Sequence, residues 1–324
     1  MTPPVEPASR PPLLLAGIPR SGTTWSMRVL ACDHSLLSIM EPDNEGRSGP
    51  AIWAKRSTGR FPVLAPGDHD EHYQWLWSWI MDGAPDSARL EASRQVLRAV
   101  RPGERRRFLE GRWAPLMGVA GLLGARPPHQ PVPALGAHRL LVKTVFAPMS
   151  IGWIASQFDV EVLALFRHPG NVLSSWISLD LHDQYVHLER HPVIRRRIGS
   201  GELPAPGEDP LERLVWQLGV INLALEESVA QHPDWVVRTH EELCDNPIAQ
   251  FQRLYTDLGL TWNEDAERYL TKNDRPGEGY PTQRVASDQP NAWKSKLTRR
   301  QIDVMRRVLA QFPLTTWSDA DFAP

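Results

Sequence analysis

The thirteen residues Leu13-Leu14-Leu15-Ala16-Gly17-Ile18-Pro19-Arg20-Ser21-Gly22-Thr23-Thr24-Trp25 constrain this chain more than any other stretch. An apolar run feeds a glycine-bounded loop, and a helical pattern follows. Gly17 and Gly22 stand five positions apart, the spacing of a P-loop, in which backbone N–H groups and a helix N-terminus surround an anion. One residue breaks the pattern. Thr23 follows the second glycine where a loop for nucleoside triphosphates has lysine, and a different cation, Arg20, sits inside the loop. The segment therefore predicts a cradle for a phosphate-like group without the usual grip on ATP and magnesium.

Short apolar runs alternate with longer helical patterns along the 324 residues. This predicts an α/β fold in which a central, mostly parallel sheet is covered by helices on both faces. The expected strands are Leu13 to Ile18, Leu36 to Met40, Arg139 to Val142, Val160 to Phe166 and Trp235 to Arg238. Asp209-Pro210 followed by Glu212 supplies an N-cap, a first-turn proline and an acidic third position, and Leu211, Leu214, Val215, Leu218 and Leu225 then form an apolar stripe. Thr298 with Gln301 makes a capping box ahead of Ile302, Met305, Leu309 and Phe312. The proline-rich tracts Pro127 to Pro133 and Leu203 to Pro210 read as loops, because strand-helix alternation continues across them. One domain over residues 1–324 is expected, with a helical insertion at about 51–136. In the insertion Trp75, Leu76, Trp79 and Ile80 share a helical face and Trp77 points the other way. Core packing is the ordinary role for such a group, and a lid over an acceptor site is the sharper one.

Composition narrows the function. A net charge of −2 gives no general attraction to nucleic acid or anionic membranes. The two cysteines, Cys32 and Cys244, allow one bridge and no disulfide framework, which fits a reducing cytoplasm. Met1 to Pro12 reads as a disordered lead, and the apolar run after it is too short for a membrane span. Thirteen tryptophans against five tyrosines imply large apolar surfaces in need of cover.

A second anion site follows the expected strand at Val160 to Phe166. In Arg167-His168-Pro169-Gly170-Asn171-Val172-Leu173-Ser174-Ser175, Arg167 ends the strand, Pro169 suits a first helical turn, and Ser175 falls about two turns in. A guanidinium and a hydroxyl so placed can bind phosphate. At this point the chain resembles sulfotransferases that use 3′-phosphoadenosine 5′-phosphosulfate (PAPS). Gly17 to Trp25 resembles their 5′-phosphosulfate loop, in a Pro-Arg-Ser-Gly-Thr-Thr version. Arg167 and Ser175, with Pro169 between, match their 3′-phosphate motif. Ala292-Trp293-Lys294 with Leu297 is a weaker match to their C-terminal Trp-Lys segment.

The resemblance implies a P-loop-like sulfotransferase fold and residue roles. Ser21, Gly22, Thr23 and Thr24 would hold the 5′-phosphate, Trp25 would stack on adenine, and Arg20 would stabilise the leaving phosphate oxygen, with no metal required. Arg167 and Ser175 would bind the 3′-phosphate and so reject ATP. The best-known branch carries a catalytic His after Lys-Thr, whereas this chain reads Lys143-Thr144-Val145. In the protein-tyrosine and several bacterial branches the base is a Glu shortly after the second strand, and Glu41, twenty-one residues beyond Arg20, fits that place. Lys143 either steadies the sulfuryl oxygens or pairs with Glu41. His240, where the family often has Tyr, is assigned to the cofactor, and Arg284 adds a second cation to the 3′-phosphate.

Gly17, Glu41, Lys143, Arg167 and His240 each follow an expected strand, and ligands of open parallel sheets bind at the strands' carboxyl ends. Asp68-His69-Asp70-Glu71-His72 is read as a solvated helix start and not as a metal site. Arg105-Arg106-Arg107 and Arg195-Arg196-Arg197 are read as helix surface. The expected function is transfer of a sulfuryl group from PAPS to a hydroxyl of a bulky, partly apolar small molecule, such as a natural product, lipid or glycoside, leaving PAP. The rivals are a P-loop kinase and a non-catalytic nucleotide-binding protein, and a homodimer is left open.

Overall fold

The structure is a computed structural model, and it describes residues 10–46, 48–82, 139–181, 188–277 and 283–322. Most of the expected insertion, with Pro127 to Pro133 and Arg105 to Arg107, lies outside the described residues. Five strands, β1 Leu13–Gly17, β2 Leu36–Met40, β3 Arg139–Thr144, β4 Glu161–Phe166 and β5 Val236–Thr239, form one sheet in the order β2-β3-β1-β4-β5. Every neighbouring pair is parallel. In chain order the helices are α1 Thr23–Leu30, α2 Gly49–Ala54, α3 Glu71–Asp82, α4 Ile151–Gln157, α5 Pro169–Ser178, α6 Pro192–Gly199, α7 Pro210–Ala230, α8 His240–Cys244, α9 Pro247–Asp257, α10 Glu264–Asn273, α11 Ala292–Lys296 and α12 Arg299–Leu309.

The apolar runs are continuous because both sheet faces are buried. Alternate residues go to opposite sides: Leu14 and Ala16 of β1, Val142 of β3, and Val162 and Ala164 of β4 join one core. Leu13, Leu15, Leu141, Leu163 and Leu165 join the other. The second core is closed by Met27 and Leu30 of α1, Phe251 and Tyr255 of α9, and Leu270 of α10. The larger core takes α3, α5, α7 and α12. At the amino ends of the strands Arg139 donates to the carbonyls of Pro11 (2.7 Å) and Leu258 (3.0 Å) and pairs with Glu161. The register then places Gly17 beside Leu165, Met40 beside Lys143 and Phe166 beside Thr239, so the carboxyl ends lie together. Connections leave central β1 toward one edge and cross after β3 to the other, which opens a crevice at the carboxyl end of β1.

The caps read from sequence are formed. Asp209 accepts from the amides of Leu211 (2.8 Å) and Glu212 (3.4 Å) at the start of α7, and Thr298 and Gln301 make a reciprocal capping box at α12. In α3, Trp77, read as pointing away from the face of Trp75, Leu76, Trp79 and Ile80, is fully buried, packed edge-on against Tyr73. The helix lies inside the larger core and buries more than one face, so its amphipathic period does not mark a solvent side. Arg195 and Arg196 are exposed, as expected, while Arg197 ties α6 to α7 through Glu227 at 2.6 and 3.0 Å. Cys32 and Cys244 are both free thiols. Among the described residues no helix is long and apolar enough to cross a membrane.

Phe312, buried beyond the end of α12, packs against Gly219 in the middle of α7, where an added Cβ would lie 2.5 Å from its ring. The two ion pairs between these helices, Arg300–Asp209 and Arg307–Glu212, are largely solvent-facing and contribute little. Phe312→Ala is therefore expected to destabilise the protein by about 3–4 kcal/mol. Urea denaturation checks this, with the midpoint falling and the slope unchanged.

Candidate active site

The loop after β1 keeps its shape because two glycines leave room for other atoms. A Cβ on Gly17 would lie 2.5 Å from Ser21 Oγ and 2.7 Å from the Leu165 carbonyl. Gly22, at φ 91°, has the His240 ring where its Cβ would go, 2.1 Å from Cδ2. Arg20 also has a positive φ, 75°, a conformation that costs a non-glycine residue about 1–2 kcal/mol. Gly22 caps α1 without a side chain, so the first amides of the helix point into the loop unused by a cap. Ser21 is fully buried, and its Oγ has no hydrogen-bond partner among the described residues. Thr23 is buried, Thr24 is half-buried, and Trp25 packs edge-on against Phe251 at 5.0 Å and beside His240 at 5.6 Å.

The second predicted anion site meets the first. Arg20 Nε donates to Ser175 Oγ at 2.9 Å, and Arg167 Nη1 donates to the Arg20 carbonyl at 2.9 Å. Trp176 of the same helix donates to the Pro19 carbonyl at 3.0 Å. Burial, partly offset by Glu241 and reinforced by the nearby Arg20 and Arg284, holds the Arg167 guanidinium below its ordinary pKa. Three guanidinium groups thus share one neighbourhood. The Arg167 Nε is buried with no hydrogen-bond partner among the described residues. These donors, with Ser21 Oγ and the α1 amides, are of the kind that binds phosphate-like anions.

The acceptor-side prediction also converges. Glu41 follows β2, and its amide donates to the Lys143 carbonyl at 2.7 Å. Of the two roles open to Lys143, the structure shows the ion pair: Nζ bonds Glu41 Oε1, with both residues buried. Asn44 Nδ2 holds the other oxygen, Glu41 Oε2, at 2.8 Å. Glu41 too has a positive φ, 50°, so a candidate catalytic residue on each side of the crevice sits in a backbone conformation that only its surroundings sustain.

His240 lies beneath the loop. It is buried against Gly22, with Cys244 Sγ 3.5 Å from Nδ1, and burial together with Arg167 pushes its pKa well down. The ring is neutral and serves as a wall of the cradle. Arg284 is close enough to act on Arg167 and donates to the Gln283 carbonyl at 2.5 Å.

Sequence reasoning missed the polar groups behind these residues. Asp43, with no exposed surface, accepts from Thr144 Oγ1 at 2.6 Å, and Lys55 donates to the Asp43 carbonyl at 3.1 Å while pairing with Glu45 at 3.1 Å. The spacing Glu41, Asp43, Glu45 directly after a strand was a usable signal. Asp70 of the charged cluster near α3 accepts from the Tyr73 amide at 2.8 Å, which makes it a helix cap.

No protein-family profile and no curated protein matches the chain. Solved structures with a similar chain path include a sulfotransferase domain from the curacin biosynthetic pathway, at 15% identity and TM-score 0.47 over 95% of this chain and 100% of that one. A sulfotransferase domain from the Synechococcus PCC 7002 olefin synthase follows at 15% and 0.41, over 94% and 96%. Retinol dehydratase in a complex with retinol and PAP has 14% and 0.36, over 95% and 84%. These values describe a likeness of fold and assign no activity to this chain.

Burial pushes the Asp43 carboxyl up to about 6 from an ordinary 3.8, against the opposing pull of Lys55 and Thr144. A carboxyl raised on folding keeps its proton where the unfolded chain has lost it, so its penalty is absent below pH 4 and complete above pH 6. Asp43→Asn is expected to remove that decline and to leave the variant more stable than the parent at pH 7, by at most roughly 3 kcal/mol. Denaturation curves between pH 4 and 7 measure it. An equal slope in both proteins would show that Asp43 is ionised throughout.

Proposed function

We propose that this chain is a PAPS-dependent sulfotransferase acting on the hydroxyl of a small molecule. The observation that carries the reading is the contact of two anion sites through Arg20, whose carbonyl takes Arg167 and whose Nε meets Ser175. A nucleotide with phosphate at both the 5′ and 3′ positions matches two adjoining cationic sites, and one with a single phosphate chain leaves the Arg167 Nε without an acceptor. Thr23, in place of the P-loop lysine, speaks against a kinase.

PAPS supplies the sulfuryl group and leaves as PAP. Glu41 takes the proton of the acceptor hydroxyl, whose oxygen forms the new bond to sulfur as the bond from sulfur to the phosphate oxygen breaks. The electron pair departs on that oxygen, where Arg20 offsets the charge. Lys143 balances Glu41 before the proton arrives, and Asn44 fixes the carboxylate's orientation.

Labelled sulfate should pass from PAPS to members of a panel of hydroxylated acceptors, and phosphate from ATP with magnesium should not. Glu41→Gln is expected to lower kcat by about 100-fold or more with PAP binding intact. Turnover within a few-fold of the parent would remove Glu41 as the base. Arg167→Ala is expected to weaken PAP by about 10- to 100-fold in calorimetry, and an unchanged affinity would refute its phosphate role.

A further inference from the structure

Asn171 lies one turn into α5, four residues past Arg167, and is almost fully buried. All of its amide is engaged. Nδ2 donates to Glu241 Oε1 at 2.9 Å and to the Pro290 carbonyl at 3.0 Å, and Oδ1 accepts from the Trp293 amide at 3.1 Å. One side chain therefore joins three segments far apart in sequence: the start of α5, the start of α8, and the approach to α11. Glu241 extends the junction, because its Oε1 also accepts from the His168 amide at 3.1 Å, next to Arg167 in the chain. Its charge acts on Arg167. Trp293 completes the joint, stacked on His168 at 4.9 Å and 14°. At Gly170 an added Cβ would lie 2.6 Å from the Trp293 ring.

The segment held by Asn171 is the continuation of the one that carries Arg284. Between them the chain makes a short helical turn, Ala286 to Asp288, whose first amide donates to Asp274 Oδ1 at 2.8 Å. An anion between Arg167 and Arg284 needs both guanidinium groups at a fixed separation, and the two arrive on elements with no covalent reason to keep one. We infer that Asn171, with Glu241 behind it, is a positioning residue that sets the 283–293 segment against α5 and so preorganises the arginines that receive the nucleotide's 3′-phosphate. Its amide is matched to the task because it needs two donors on one side and an acceptor on the other. Aspartate has the acceptor but lacks the donors, and would set a second carboxylate against Glu241.

This inference rests on the PAPS reading, and one experiment separates the two. PAP binding by calorimetry and steady-state kinetics are measured for the full chain and for Asn171→Ala and Asn171→Asp. Hydrogen exchange is followed in peptides covering 283–297. Both variants are expected to raise the KM for PAPS and the Kd for PAP at least tenfold, with kcat at saturating PAPS within threefold, and to speed exchange in that segment alone. Asn171→Asp preserves side-chain shape and keeps the test open if the alanine variant does not fold. Parent protein that fails to bind PAP overturns the functional reading. Parent that binds PAP, with variants that bind it equally well or lose kcat in place of affinity, overturns the role of Asn171.

Discussion

Nothing larger than hydrogen fits at Gly17 or Gly22, and the rest of the site is built on that restriction. At Gly17 the obstacle is partly backbone, the Leu165 carbonyl of the neighbouring strand, so the loop turns immediately against β4 and brings Arg20 toward Arg167. At Gly22 the obstacle is the imidazole of His240. An ordinary surface histidine would be partly charged near neutral pH, and a charge there would face Arg167 across a buried gap. Burial and the guanidinium keep it neutral, so an uncharged aromatic plate supports the cradle and leaves the arginines as its cations.

The other wall of the crevice is organised by alternation. Glu41, Asp43 and Glu45 each end at a different partner: Lys143, Thr144 and Lys55. Burying such charges costs several kcal/mol per ion unless each is paired and hydrogen-bonded, and the gain from pairing rarely exceeds the cost. Stability is therefore a weak reason for this cluster to exist. Orientation is a stronger one. A carboxylate gripped by an ammonium on one oxygen and by an amide on the other has one position, which proton transfer would require of Glu41 in the proposed role of base.

Much of this was legible in the chain because it is local. Each of the five expected strands is present, with ends displaced by two residues at most, and the caps at Asp209 and Thr298 formed as read. Short backbone patterns of that kind are decided within a few residues. The convergence was legible for a different reason: parallel strands with aligned register carry their carboxyl ends to one edge. There Glu41, Arg167 and His240 follow their strands. Gly17 and Lys143, expected to follow theirs, are the last residue of β1 and the next-to-last of β3, because the pairing runs on through them. The full burial of Trp77 could not be read from the helical period, which reports a boundary with water, because α3 is buried on more than one side. Asn171, Glu241 and Asp43 were missed because their meaning lies in partners remote in sequence. Asn171 looks like an ordinary residue of an amphipathic helix until the Trp293 amide is set against it.

The electrostatics of the crevice also explain why its polar groups are left incomplete. Arg167 faces the buried carboxylate of Glu241, which burial holds above its usual pKa and whose Oε2 has no hydrogen-bond partner among the described residues. Arg167 Nε and Ser21 Oγ are likewise unsatisfied. In a finished core such groups would each cost about 1–3 kcal/mol with no return. At a crevice between strand ends they are a stored preference. An anion that enters regains the lost hydrogen bonds and neutralises mutually repelling cations, while a neutral ligand does neither. Under the proposed function, a ligand that fills only the loop would leave the Arg167 Nε unsatisfied, which favours a nucleotide with a second phosphate.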